Sequence, residues 1–291
     1  MARPAELNNK IWRVIDILKW GENYFQSKGF ESPKQEIEWL LCDLLNYKRI
    51  DLYVQFEQPI SRSELDRLKG WVKRRIKREP LQYITGTTEF YGHQIKVNPN
   101  VLIPRPETER LVDVALNCIG NLTTPNILEV GTGSGCISIA IAGEKADAKI
   151  TAIDISVEAL NVAKSNAVYN QMAHIQFMEM NFLTSAPNGT YDLLVSNPPY
   201  IPEEEVDETM VEVRNYEPKL AFTDQHDGLS FYHRIASEAK SLIKHEGWIV
   251  LEVGLGSHPD KVKKLFHHAG FEQLEMIQDF NSDERVLKIQ I

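Results

Sequence analysis

The segment "LLVSNPPYIP", residues 193–202, sets Asn197 at the end of an apolar run and follows it with Pro198, Pro199 and Tyr200. Proline cannot donate to a sheet ladder and fixes its own φ, so the chain has to leave a strand at Asn197 with its backbone held stiff. The Asn197 side-chain oxygen and the Pro198 carbonyl then make two acceptors that need little reorganisation. Such acceptors suit a target that carries N–H groups. An amide or exocyclic amine nitrogen is a poor nucleophile because its lone pair is delocalised, and methylating it builds positive charge that aimed acceptors stabilise. Tyr200 is expected to pack on the planar face of that target. The competing reading is a proline-rich turn that merely ends a strand.

A second constellation lies upstream. "LEVGTGSGCISIAIA" puts Glu129, Gly131, Thr132, Gly133, Ser134 and Gly135 between an apolar strand and an apolar helix. Glycines let the backbone turn sharply and approach a ligand with no Cβ in the way. The G-x-G-x-G spacing differs from the dinucleotide fingerprint, and there is no Lys-Ser/Thr pair of a phosphate loop, which points to a nucleoside without a pyrophosphate. Asp154 ends the next strand, where a carboxylate can accept from both ribose hydroxyls; capping the helix that starts at "SVEAL" is the alternative. Asn181 and Phe182 in "MNFL" are placed to meet an adenine by amide hydrogen bond and ring contact, or else form a strand-end turn. The pattern fits S-adenosylmethionine, and NAD(P) less well. Cys136 reads as a packing residue.

These residues need elements to hold them. Residues 1 to about 80 read as a helical bundle, with capping boxes at Ser32–Gln35, where Pro33 takes the first helical position, and at Ser61–Glu64. Residues 81–106 carry turn residues among short β-favouring runs and read as a hairpin linker. From Glu107 to the end, helices alternate with the runs "NILEV", "KITAID", "HIQFM", "YDLLVS", "WIVLEV", "FEQLEMI" and "RVLKIQI". That alternation predicts a doubly wound α/β sheet. Only "QDFNSDE" separates the last two runs, too little for a helical crossover, so they should pair antiparallel.

Composition narrows the class. The 291 residues carry 32 basic and 41 acidic side chains, a net charge of −9, which argues against affinity built on nucleic-acid phosphates. The basic cluster Lys73, Arg74, Arg75, Lys77 and Arg78 reads as a solvated helix face. Cys42, Cys118 and Cys136 suggest neither a disulfide framework nor a thiolate metal site, the histidines show no zinc spacing, and no metal is expected. No long apolar run appears, so neither export nor membrane spanning is expected, and the expected setting is the cytoplasm.

Together "EPLQYITGTTEFYG", "LIPRPETE", "EVGTGSG", "SNPPYIP", "NYEP" and "DERV", in that order over nearly the whole chain, resemble the HemK/PrmC family of N5-glutamine methyltransferases. That family modifies the glutamine of the Gly-Gly-Gln motif in class-1 peptide chain release factors. The resemblance implies a class I methyltransferase fold of seven strands, the last antiparallel, over residues 107–291, with the helical domain helping to recognise the release factor. It also implies that Gly131 to Gly135 and Asp154 hold S-adenosyl-L-methionine with Phe182 beside the adenine. Asn197, Pro198, Pro199 and Tyr200 would hold the target glutamine, Asn197 also lying near the methionine moiety. Glu129, Thr132, Ser134 and Asn181 complete the expected cofactor set, although the family often has an acid where Asn181 stands. A monomer with a protein substrate, and no direct nucleic-acid or membrane partner, is expected.

A DNA or RNA adenine-N6 methyltransferase poses the same chemical problem, but "PEEEVDE" after the catalytic turn would repel phosphates. A ribosomal-protein glutamine is an alternative substrate. A binding module with a vestigial cofactor site and an NAD-dependent dehydrogenase fit the motifs less well. Arg105 reads either as a contact to the cofactor carboxylate or as a brace, and Glu217 either as a channel-lining residue or as a loop brace.

Overall fold

The computed structural model of the chain describes residues 11–291, so the first ten residues of the expected bundle lie outside the described residues. Two compact units meet in sequence at Gly86 and Thr87. The first contains helices α1 (Val14–Ser27), α2 (Pro33–Leu45), α3 (Asp51–Val54), α4 (Arg62–Arg75) and α5 (Leu81–Thr85). Gly86, at φ 89°, ends α5 in the left-handed conformation that glycine adopts without a Cβ penalty. The opening of the expected linker, from Leu81 to Thr85, is therefore helical and part of this unit.

The apolar faces close on one core that includes Val14, Phe25, Ile37, Leu40, Leu41, Leu52 and Leu68. Gly21 of α1 sits against α2 so closely that an added Cβ would lie 2.2 Å from Ile37 Cγ1. At the start of α4 the Glu64 N–H donates to Ser61 Oγ and the Ser61 N–H to Glu64, a complete capping box. Ser32 makes no such bond: its ψ of 61° departs from the extended geometry that lets a cap hydroxyl reach back to the helix.

The arginines of the basic cluster are structural. Arg75 is buried and bidentate to buried Glu36, through Nε at 2.7 Å and Nη2 at 2.8 Å. Arg74 pairs with Glu79, and Arg78 lies over the Phe30 ring. The solvated-face reading holds for Lys73, Arg74 and Lys77, which are exposed, but not for buried Arg75, whose planar donors find a carboxylate and a carbonyl within the same unit.

The second unit opens with the hairpin β1 (Thr87–Phe90) and β2 (His93–Lys96). Then follow α6 (Thr108–Ile119), β3 (Asn126–Val130), α7 (Cys136–Glu144), β4 (Lys149–Asp154), α8 (Val157–Tyr169), β5 (Gln176–Glu179) and β6 (Tyr191–Ser196). The chain ends with α9 (Val211–Tyr216), α10 (Ser230–Leu242), β7 (Ile243–Glu252), α11 (His258–His268), β8 (Leu274–Gln278) and β9 (Glu284–Gln290). Seven strands form one sheet in the order β5-β4-β3-β6-β7-β9-β8. β9 runs antiparallel to both β7 and β8, and the other pairings are parallel. The doubly wound class is as the alternation predicts.

The middle strands are largely apolar because helices cover both faces. α7 shows the same logic: Cys136 to Ala142 are all buried, which explains an apolar run without a polar stripe. Among the described residues no helix is long and apolar enough to cross a membrane.

Candidate active site

The register of the sheet lines up the chemistry. Across β4, β3, β6 and β7, residues Ile153, Val130, Ser196 and Leu251 are successive pairing partners in one row. The residues that follow them are Asp154, Gly131, Asn197 and Glu252, so the glycine loop, the acid and the asparagine all emerge at one level on the carboxyl edge. Strand order reverses between β3 and β6, the crevice where open α/β sheets bind ligands. A cleft of about 460 Å³ opens there and takes in Gly131, Asp154, Phe182 and Asn197. That volume suits a small-molecule site.

At one end lies the glycine loop. Gly131 and Thr132 donate to the Ile153 carbonyl at 2.9 and 3.0 Å, and Gly133 donates to Asp154 Oδ2 at 2.8 Å. Asp154 Oδ1 accepts from Ser156 at 3.0 Å, while Ser156 itself caps α8 through the Ala159 N–H. Asp154 is thus not the helix cap; it joins the glycine loop to the start of α8, and each carboxylate oxygen keeps a further lone pair. Burial raises its pKa against the pull of those backbone donors.

The three glycines answer to different constraints. Gly131 and Gly133 line the cleft at φ 74° and 53°, and a Cβ on either would have no protein atom within 4 Å. Gly135, at φ 81°, opens α7 against α8, where a Cβ would stand 3.2 Å from Ala163 Cα. Behind the loop, Asn166 donates to the Ser134 and Lys96 carbonyls and accepts from the Lys96 N–H, tying β2 to the loop. Phe182 and Asn181 line the same end. Asn181 Oδ1 accepts from the Leu183 N–H at 3.1 Å, which leaves its amide N–H groups as the free polar edge.

Glu129 stands elsewhere than expected. It is buried beneath the loop rather than in the cleft lining, and its Oε2 accepts from the Thr132 and Ser138 hydroxyls. Its Oε1 is buried without a partner, and burial pushes the carboxyl up to about 7. Cys136 is buried as well, its thiol pushed up to about 12, so it packs rather than reacts.

At the other end are Asn197, Pro198 and Pro199, all lining the cleft. Asn197 Nδ2 donates to Thr108 Oγ1 at 3.3 Å, and Thr108 Oγ1 donates to Glu252 Oε2 at 2.7 Å. Tyr200 departs from expectation. Its ring is not part of the cleft lining; it lies 5.8 Å from the His258 ring, and its hydroxyl points at Glu252 Oε1, 3.5 Å away. The buried carboxylate offers the phenol a partner, and that turns the side chain inward.

Sequence reasoning passed over Thr108, Glu252, Gly228 and Gly254, and it grouped His258 with histidines expected mostly at the surface, whereas His258 is buried. His258 Nδ1 accepts from the Gly254 N–H at 3.1 Å, and burial lowers its pKa. A Cβ on Gly228 would stand 2.3 Å from the Tyr200 carbonyl oxygen, and one on Gly254 3.0 Å from Tyr200 Cδ2. The available signal was a glutamate inside the apolar run "WIVLEV", since a strand covered on both faces admits a carboxylate only with dedicated partners. Arg105 Nη2 donates to Glu217 Oε1 at 2.6 Å, so these two residues brace one another.

Known proteins share these features. Residues 16–86 match the PrmC N-terminal domain, and residues 110–214 match the methyltransferase small domain. A release factor glutamine methyltransferase of Geobacter sulfurreducens is 38% identical over 278 residues, with 96% of each chain covered. The protein of the same name from Chlorobaculum tepidum is also 38% identical, over 96% of this chain and 97% of its own.

This chain belongs to the release factor glutamine methyltransferase family. The fold recurs in a crystal structure of the hMettl16 catalytic domain in complex with MAT2A 3'UTR hairpin 1, at TM-score 0.57 and 16% identity, covering 92% of this chain and 90% of that one. The family's cofactor is S-adenosyl-L-methionine, and the glycine end of the cleft fits it. Two glycines leave open space where side chains would intrude, Asp154 retains acceptor capacity, and a buried phenylalanine edges the site.

Proposed function

We propose that this protein methylates the side-chain N5 of the glutamine in the Gly-Gly-Gln motif of class-1 peptide chain release factors. One observation carries the reading: Gly131, Asp154 and Asn197 leave register-matched positions of adjacent strands and share one cleft. A cofactor loop and an amide-binding turn are thereby held on one rigid edge.

S-adenosyl-L-methionine, when bound, supplies an electrophilic methyl group on a sulfonium sulfur. Asp154 would accept from its ribose hydroxyls with the lone pairs that Gly133 and Ser156 leave free. Phe182 would pack against its adenine, and Asn181 would offer it an amide N–H. Gly131 and Gly133 keep the loop free of side chains, Thr132 and Ser134 line the cleft beside them, and Glu129 holds Thr132 from below.

Asn197 Oδ1 and the Pro198 carbonyl accept the N–H groups of the target carboxamide and favour the positive charge that builds on its nitrogen. Loss of one such dipole typically costs about 3 kcal/mol of transition-state stabilisation. Pro198 and Pro199 restrict the turn, so the acceptors are in place beforehand. Tyr200 acts as a support for the turn, with its hydroxyl on Glu252. No strong general base is required, because the nitrogen becomes acidic only as the methyl group arrives.

The helical N-terminal unit serves to recognise the release factor. Support comes from its exposed apolar side chains, among them Trp39, Tyr53, Val54 and Phe56. We further assign the protein to the cytoplasm, as a monomer acting on protein without nucleic-acid or membrane contact. Relatives at 38% identity favour a protein glutamine over an adenine. Incubation with a purified class-1 release factor and labelled cofactor, followed by peptide mass spectrometry, tests the reading. A single methyl on the motif glutamine is expected, and none there would refute it.

A further inference from the structure

Glutamine and glutamate side chains have nearly the same size and shape, so a site has to tell them apart by charge and by hydrogen-bond donors and acceptors. If the proposed function holds, the site must favour a group with two N–H donors over one with none. An asparagine does not settle this alone, because a carboxamide turned by 180° about its last torsion offers donors where it offered an acceptor.

What fixes Asn197 is a chain of bonds leading inward. Glu252, at the end of β7, is buried, and in its ionised form, above about pH 7, its Oε2 takes the one proton of the Thr108 hydroxyl at 2.7 Å. Thr108 is buried too, so its hydroxyl has no solvent to turn to. With that proton committed, Oγ1 can only accept, and the group that meets it at 3.3 Å is the Asn197 amide nitrogen. The oxygen on the same carboxamide carbon is thereby turned away from Thr108 and left as the acceptor in the cleft. None of these bonds needs the cofactor or the target to form.

We propose that Thr108 and Glu252 polarise the Asn197 carboxamide, and that this polarity makes the site select a carboxamide over a carboxylate. Thr108 is a positioning residue: it acts through Asn197. A glutamate presented to the same turn brings an oxygen against an oxygen, and neither the threonine nor the asparagine can turn to relieve it. Sites built to bond a particular donor reject the isostere that lacks it strongly, because buried groups are left unpaired.

The test uses the full chain with S-adenosylhomocysteine bound, and two purified ligands: a class-1 release factor, and the same factor with its motif glutamine replaced by glutamate. Dissociation constants for both give a glutamine-to-glutamate preference that needs no turnover. Thr108→Val and Thr108→Ala should each lower that preference about tenfold, the size of one hydrogen bond. Thr108→Ser, which keeps the hydroxyl, should preserve it. The alanine variant guards against the valine methyl group disturbing Glu252. An unchanged preference in the valine and alanine variants, or an equal loss in the serine variant, would overturn the proposal. Wild-type protein is assayed for methylation of the glutamine factor in parallel; its failure there would strike the proposed function instead, so the two can be told apart.

Discussion

Arg105 and Glu217, 112 positions apart in the chain, form an ion pair in which Arg105 Nη2 donates to Glu217 Oε1 at 2.6 Å. The Glu217 carboxylate is almost fully buried and also takes the Ile103 N–H at 3.4 Å. The pair joins the segment before α6 to the segment after α9. Pro104 and Arg105 from the first segment and Pro218 to Ala221 from the second all line the cleft. The pair therefore ties together two of the segments that line it.

Glu217→Gln should weaken this brace, because the charge-assisted bond becomes a neutral one and the buried end loses its best partner. We expect kcat/KM for the release factor to fall by about tenfold or more, with cofactor affinity changed less than threefold. Steady-state kinetics and a cofactor titration check this, and an equal loss in both would place the pair at the cofactor instead.

Two buried carboxyls give the fold a pH signature. Burial raises Glu129 and Glu252 to about 7 from an ordinary 4.5. Between those values the folded chain holds protons that the unfolded chain has lost, so stability falls as pH rises from about 4.5 to about 7. Each fully buried group contributes on the order of 3 kcal/mol to that decline. Glu129→Gln should flatten the curve measured by urea unfolding between pH 5 and 8, and parallel curves for the two proteins would contradict the assignment.

Gly21→Ala tests the close packing of α1 on α2. Alanine favours helix by up to about 1 kcal/mol over glycine, yet its Cβ would fall 2.2 Å from Ile37 Cγ1. Overpacking should win, with a net loss of about 1–3 kcal/mol in the unfolding of the helical unit. A raised unfolding midpoint would show that the helices do not meet there so tightly.

Much of this arrangement is legible in the chain, for reasons that differ by residue. The runs around β3 and β6 read as buried strands because they are apolar without alternation. Their ends read as loops because glycine and proline stop a ladder at Gly131 and Asn197. Neighbouring places in the row of strand ends could not be read, since pairing register depends on strand order, to which local pattern is blind.

Tyr200 shows the same limit. A tyrosine after two prolines invites a stacking role, but its direction is decided by Glu252, 52 positions later, and by glycines that leave room for its ring. Thr108 lay in plain view within "LIPRPETE", yet its role depends on a strand end 144 residues away. Ser32 carried the right residue types for a capping box, and only its backbone angles prevent one.

Asp154 should matter to cofactor binding in two ways, since it braces Gly133 and presents its remaining lone pairs to the cleft. Asp154→Asn puts a donor where an acceptor stood, and we expect affinity for S-adenosylmethionine to fall at least tenfold, in line with about 1.5–3 kcal/mol for bonds to a charged group. Isothermal titration would measure it, and unaltered affinity would remove the carboxylate from the cofactor site.

The most direct test concerns Asn197. The methyl-transfer rate of Asn197→Ala on a purified class-1 release factor should be measured at saturating cofactor, beside its affinity for that cofactor. Transfer should fall by a hundredfold or more, while the dissociation constant stays within about tenfold of wild type. Undiminished transfer to the motif glutamine would show that the acceptor at the end of β6 does not run the reaction.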